Sequence, residues 1–237
     1  MNDCLFRMSI ADSVKVCKEC SLLKDSRDES NPFSVTMPEI NDLDTYCRYV
    51  ENLQTHAAYD ILLNDDSMFQ FAKCDKPRPD NPRKKYEYLK YVYVQCPYQI
   101  MAYEDFCREI GIDVEEEGYN EEYNREIYEN GCDRKPIQFP FYLRYDVDLK
   151  GYHPNSHSFA HLHIGFREGY RMPVSLILTP KAFVCMVIKL VYSQEWKDHI
   201  LADSRIRTHT YESLKSQCNN NKNPHWAEME KLDLYIG

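Results

Sequence analysis

Apolar residues between Cys4 and Lys24 recur at helical intervals, Val14, Val16, Cys17, Cys20 and Leu23 among them, so the chain is expected to open with a helix. Pro32 and Pro38 mark Asn31 to Pro38 as a connector. Asn41-Asp42 can cap a second helix, in which Tyr46, Val50, Leu53, Ala57 and Ile61 follow at spacings of three and four from Leu43 to Leu63. From Met68 the period changes. Met68 to Ala72 reads as a strand, Pro77, Pro79 and Pro82 punctuate a loop, and the Tyr- and Val-rich stretch Tyr86 to Cys96 suits a pleated, half-buried surface. Tyr103 to Ile110 reads as a short helix stopped by Gly111, and Glu121 to Glu129 as another ended by Asn130-Gly131. Ile137 to Asp148, Ala160 to Phe166 and Arg171 to Leu178 are strand-like. Thr179-Pro180 supplies an N-cap and a first-turn proline for a helix from Lys181 to Tyr192, apolar almost all round and therefore expected to be buried. A further helix is predicted over Gln194 to Ser216, then a polar loop at Asn219 to Pro224 and an edge strand at Leu232 to Ile236.

Helices, then strands, a helix, strands and helices again, without regular β-α alternation, predict an α+β fold with a central, mostly antiparallel sheet flanked by N- and C-terminal helices. A length of 237 residues suits one domain: a helical part over 1–66, a strand-rich part over 67–178 and a helical part over 179–237. With 43% hydrophobic and 28% charged residues the chain can bury a core, which excludes wholesale disorder. The longest apolar run, Ala182 to Tyr192, is interrupted by Lys189 and too short to span a bilayer, and the start lacks the basic-then-apolar pattern of a signal peptide. No membrane partner and a cytoplasmic location are the expectations. The ten cysteines are scattered and read as reduced thiols. Cys17-Lys18-Glu19-Cys20 lacks the second pair that a structural zinc site needs, so helix packing is its plain reading.

The net charge of −9 is unevenly placed: the insert over 104–133 holds twelve acidic residues against Arg108 and Arg125. The plain reading is a solvated helical insert; the sharper one is a docking face for a basic protein partner, or a mimic of nucleic-acid charge. Overall acidity disfavours indiscriminate duplex binding but leaves room for a local site. Lys73, Lys76, Arg78, Arg83, Lys84 and Lys85 can hold phosphate, though such runs are more often wet loops. Tyr86, Tyr88, Tyr91 and Tyr93 can stack bases, though sheet packing is the commoner use of such a ladder.

Four of the eight histidines, His153, His157, His161 and His163, fall within eleven residues. Strand alternation puts His161 and His163 on one face, opposite Leu162 and Ile164, and Arg144 and Asp146 on one face, opposite Leu143, Tyr145 and Val147. If the two strands pair, two imidazoles, a guanidinium and a carboxylate share one surface. His161 and His163, about 6–7 Å apart along a strand, can then bind one divalent metal ion with Asp146 and His157, to activate water or polarise a phosphoryl oxygen. Without metal, the same histidines can act as general acid and base while Arg144 holds phosphate through its planar fork. The bland alternative is a polar layer that only holds the sheet together. There is no P-loop, no G-x-G-x-x-G and no G-x-S-x-G. Cys185, in an apolar helix, reads as inert packing, and His199, His209 and His225 as surface or capping residues.

Arg144-Tyr145-Asp146, His153-Pro154, His161-Leu162-His163-Ile164-Gly165, Arg171-Met172-Pro173-Val174-Ser175 and Thr179-Pro180-x-x-Phe183 together resemble a bacterial family, domain of unknown function 2290. The resemblance implies a bacterial cytoplasmic protein and transfers no activity. The order R-x-D then H-x-H is also similar to small toxins of toxin–antitoxin and phage-defence loci. The leading expectation is therefore a phosphodiester hydrolase, a nuclease-like effector in bacterial phage defence or a toxin system, acting on nucleic acid. His161 and His163 would be metal ligands or an acid–base pair, Asp146 a ligand or histidine orienter, and Arg144 a phosphate clamp. The alternative is a non-catalytic adaptor or sensor subunit of a multiprotein defence complex, docking through residues 104–133.

Overall fold

A computed structural model describes residues 3–27, 40, 42–77, 85–98, 103–114, 119–125, 137, 139–154, 156–166, 171–219 and 222–226. Along the chain these form α1 (Asp3–Glu19), β1 (Leu23–Ser26), α2 (Leu43–Thr55), β2 (Ile61–Leu63), β3 (Met68–Pro77), β4 (Lys85–Val94), α3 (Tyr103–Ile110) and α4 (Tyr119–Asn124). Then follow β5 (Tyr142–Asp148), β6 (Ala160–Ile164), β7 (Arg171–Pro173), α5 (Pro180–Val191), α6 (Ser193–Glu195), a π-helical segment (Trp196–Leu201) and α7 (Ser204–Asn219). The strands make one sheet whose spatial order is the chain order, β1 to β7, with every neighbouring pair antiparallel. The fold is α+β, a central antiparallel sheet with helices from both ends of the chain. Among the described residues no helix is long and apolar enough to cross a membrane.

Strand alternation divides the sheet into two faces of different character. One face carries Phe69, Phe71, Leu89, Tyr91, Tyr93, Leu143, Tyr145, Val147 and Leu162, and packs against α1 and α5. Phe183 of α5, fully buried, meets Tyr91 edge-on at 5.8 Å and Phe69 at 6.3 Å between ring centroids. Tyr91 and Tyr93 are thus core residues, with the Tyr91 hydroxyl donating to the Leu178 carbonyl and the Tyr93 and Tyr192 hydroxyls 2.8 Å apart, so they are closed to base stacking. Cys17, Cys20 and Cys185 lie buried in the same layer, and burial pushes the Cys20 and Cys185 thiols up to about 12 and Cys17 well above the ordinary range. The opposite face is apolar only in part: Met68, Val92, Val94 and Tyr142 lie under Tyr46, Tyr49, Val50 and Leu53 of α2. Beyond the reach of α2 the same face turns polar.

Several boundaries differ from the sequence expectation. The helix expected to reach Leu63 ends at Thr55, because Ala57 turns left-handed at φ +46°. Ala58 N donates to Leu53 O and Ala57 N to Gln54 O, the paired bonds of a Schellman motif without glycine. Ser21, at φ +56°, ends α1 in the same way, with Leu22 N donating to Cys17 O and Ser21 N to Lys18 O. The segments so released become β1 and β2, and the N-terminal part is not wholly helical. β3 runs on through Pro77, and the strand expected over Arg171 to Leu178 stops at Pro173. The helix expected over Gln194 to Ser216 is interrupted by the π-helical segment. The Asn31 to Pro38 connector, the Pro79 and Pro82 positions and the Leu232 to Ile236 edge strand lie outside the described residues. So do 115–118 and 126–133 of the acidic insert.

Candidate functional site

The site is built from consecutive strands, β5 and β6, by their register. Asp146 pairs with His161 and Arg144 with His163, and antiparallel partners project to the same side. The pattern extends outward: Lys90 of β4 flanks Asp146, while Arg171 of β7 flanks His163. One row across the sheet therefore reads Lys90, Asp146, His161, Pro173, and the adjacent row Val92, Arg144, His163, Arg171. Each tolerates its position because its strand neighbours, Leu143, Tyr145, Val147 and Leu162, anchor the other face. The β5–β6 connection folds back over the histidines, and Ser158 in it presents its carbonyl to His161.

Asp146, His161 and His163 are 8%, 1% and 6% exposed, so their charges are not screened by water. Burial pushes His161 down to about 4, and neighbouring His163 lowers it further against the pull of Asp146. Burial also lowers His163, although the adjacent Asp146 carboxylate works the other way. For Asp146, burial by itself would raise the pKa. The contact with His163 and the Arg144 guanidinium outweigh it, so the carboxyl ends below its ordinary range and is ionised at neutral pH.

Hydrogen-bond partners then locate the protons. His161 Nδ1 lies 2.7 Å from Ser158 O, which can only accept, so a neutral His161 carries its proton on Nδ1 and Nε2 is bare. His163 Nε2 lies 2.9 Å from Arg144 Nη2, which can only donate, so this nitrogen is bare too. The two Nε2 atoms are 3.0 Å apart, and Asp146 Oδ2 is 3.4 Å from His163 Nε2 and 4.0 Å from His161 Nε2. Three lone-pair donors therefore converge with no proton left to bridge the nitrogens. A triangle with those sides has its centre about 2.1 Å from each corner, the distance at which imidazole nitrogen and carboxylate oxygen bind zinc. Asp146 Oδ1 is buried without a hydrogen-bond partner, an anionic oxygen that a cation would satisfy. Asp146, His161 and His163 thus form a group with the spacing and donor chemistry to hold a metal ion.

Arg144 explains part of the cluster without metal. Its Nε donates to Asp146 Oδ2 at 3.0 Å, its Nη2 reaches His163, and Tyr142 hydrogen-bonds to the same guanidinium. That fork accounts for one Asp146 oxygen and for His163, but neither for Oδ1 nor for the contact between the two imidazoles. His157 stands outside the converging trio. Its ring lies edge-on to His161 with centroids 4.8 Å apart, and its main chain makes a bridge with His153. A Cβ at Gly151 would come within 2.9 Å of His157 Cε1, so any larger residue there would make the His157 ring shift. His153 is exposed.

A family described as an uncharacterized conserved protein, DUF2290, matches residues 16–236. The chain belongs to this family. No curated protein and no solved structure matches it. The DUF2290 match covers every residue of the site and both cation-bearing strands that flank it.

Two residues of the site escape a reading by alternation within strands. Lys90 enters because its strand pairs with β5 opposite Asp146, and it helps to hold Asp146 ionised. Arg171 enters through β7; its charge lowers both His157 and His163, and its Nε is buried with no hydrogen-bond partner. Register between strands is the signal that places both, and a single sequence does not state it.

Proposed function

We propose that this protein is a metal-dependent phosphodiester hydrolase, with a divalent cation held by Asp146, His161 and His163. The observation that carries the reading is the convergence of two bare imidazole nitrogens and a carboxylate oxygen around one point. Three protein ligands leave coordination positions for water and substrate, the arrangement of a catalytic rather than a structural site. The ion would lower the pKa of a water molecule and neutralise charge building on the phosphoryl oxygens. Ser158 holds His161 in the tautomer that offers Nε2, as outer partners of metal-binding histidines generally do. Arg144 and Lys90 beside Asp146, and Arg171 beside His163, place positive charge around the cluster in a protein of net charge −9, which suits an anionic substrate. Two histidines with one carboxylate also serve iron oxygenases; the three flanking cations favour the phosphate ester.

The test is hydrolysis of bis(4-nitrophenyl) phosphate with added Mn²⁺ or Zn²⁺. Activity is expected to disappear on chelation and to fall at least about a hundredfold in a folded His163→Ala variant. Activity that survives chelation but not His163→Ala would move the reading to metal-free acid–base chemistry. Iron bound in place of manganese or zinc, with no hydrolysis, would move it to oxidation.

A further inference from the structure

His163 Nε2 has one in-plane lone pair and two claims on it: Arg144 Nη2 at 2.9 Å, and the point shared with His161 Nε2 at 3.0 Å and Asp146 Oδ2 at 3.4 Å. A guanidinium only donates, so the lone pair cannot serve Arg144 and a metal ion together. Asp146 Oδ2 is under no such restriction, since a carboxylate oxygen can accept from Arg144 Nε at 3.0 Å and still face a cation. Metal loading therefore has to break one contact, Arg144 to His163, while the Arg144 to Asp146 contact can stay. On the far side of His163 stands Arg171, which pairs with it across the next strand, with its Nε buried and unsatisfied. One strand, β6, lies between the arginine backbones, which are two strand spacings or roughly 10 Å apart, and His163 stands between them on the same face.

Resting on the metal reading above, we propose that Arg144 and a divalent cation compete for His163, and that the cation's arrival hands the Arg144 guanidinium to a phosphate group seated between Arg144 and Arg171. The arginine is then the resident cation of the metal-free protein and part of the phosphate clamp of the loaded one. Metal and anion promote each other's binding through it, and by linkage the promotion is reciprocal. The empty protein avoids a cluster of unneutralised ligands, and the clamp forms only when the ion that needs a substrate is present.

Calorimetric titration of the full chain tests this with Mn²⁺, whose preference for oxygen and nitrogen ligands spares the ten cysteines, and with inorganic phosphate as the anion. The His161→Ala/His163→Ala variant is the blank. Arg144→Ala, confirmed as folded by circular dichroism, is expected to bind Mn²⁺ at least about tenfold more tightly than the parent. Arg144→Lys, which keeps a charge but loses the fork, is expected to tighten in the same direction and decides the matter if the alanine variant does not fold. The parent is expected to bind phosphate at least about fivefold better when loaded with Mn²⁺, a gain lost in both Arg144→Ala and Arg171→Ala. Unchanged or weaker Mn²⁺ binding in the Arg144 variants, or a phosphate gain that survives them, would overturn the exchange while leaving the metal site standing. No Mn²⁺ bound by parent or variant would overturn the metal site and the exchange together.

Discussion

Ser158 offers its carbonyl to His161 Nδ1 at 2.7 Å, and that contact leaves the other ring nitrogen bare. Single contacts of this kind also decide where helices stop. Ala57 and Ser21 hold left-handed backbone, at φ +46° and +56°, where an L side chain is strained and glycine is not. Ala57→Gly is expected to raise unfolding stability by about 0.5–1 kcal/mol, read from urea midpoints at unchanged slope. A loss of stability would mean that the unfolded chain's extra freedom outweighs the relieved strain. The same residue shows why the α2 boundary was illegible: the motif is complete in its hydrogen bonds, yet the glycine that announces it is absent, and Ala57 and Ile61 continue the helical spacing beyond the true end. Arg144, Asp146, His161 and His163 were legible because alternation along two strands is a local property.

At the scale of elements, β5 and β6 follow directly from their patterns, whereas β1 and β2 are short pieces that only tertiary pairing makes into strands. Asp60, at the head of β2, shows what holds them. Its Oδ2 accepts from Phe71 N of β3 at 2.6 Å, and Asp60 N donates to Phe69 O. Burial raises the Asp60 carboxyl to about 6, against the hydrogen bond from Phe71 and the charge of Arg27. A carboxyl whose folded pKa lies above its unfolded value binds its proton more tightly when folded, so its contribution to stability is lost as pH rises from about 4 to about 6. Asp60→Asn keeps an oxygen for Phe71 N and removes the charge. Relative to the parent it should gain stability between pH 4 and pH 7, by no more than about 3 kcal/mol. Denaturant unfolding at the two pH values measures this, and a parent–variant difference independent of pH would contradict it. The π-helical segment that splits the C-terminal helices has no counterpart in the periodicity of Gln194 to Ser216, which is helical throughout.

For the whole molecule, a sheet in chain order brings sequence neighbours together, so β5, β6 and β7 assemble most of the site from one continuous stretch. That topology is why the candidate cluster could be read from a single sequence, while Lys90, arriving from β4 across the acidic insert, could not. It also sets a cationic surround within an acidic chain: Lys90 and Arg144 flank the buried carboxylate and Arg171 flanks His163, on a face that α2 leaves polar. The other face, closed by α1 and α5, carries none of these charged groups and is the main apolar core. The central claim is that the polar face holds one divalent ion through Asp146, His161 and His163. It is tested most directly by mass-spectrometric metal analysis of protein purified without an affinity tag, for the parent and for His161→Ala/His163→Ala. The account predicts close to one equivalent per chain in the parent and its loss from a double variant that circular dichroism shows to be folded. A parent without metal, or equal metal in both proteins, would contradict it.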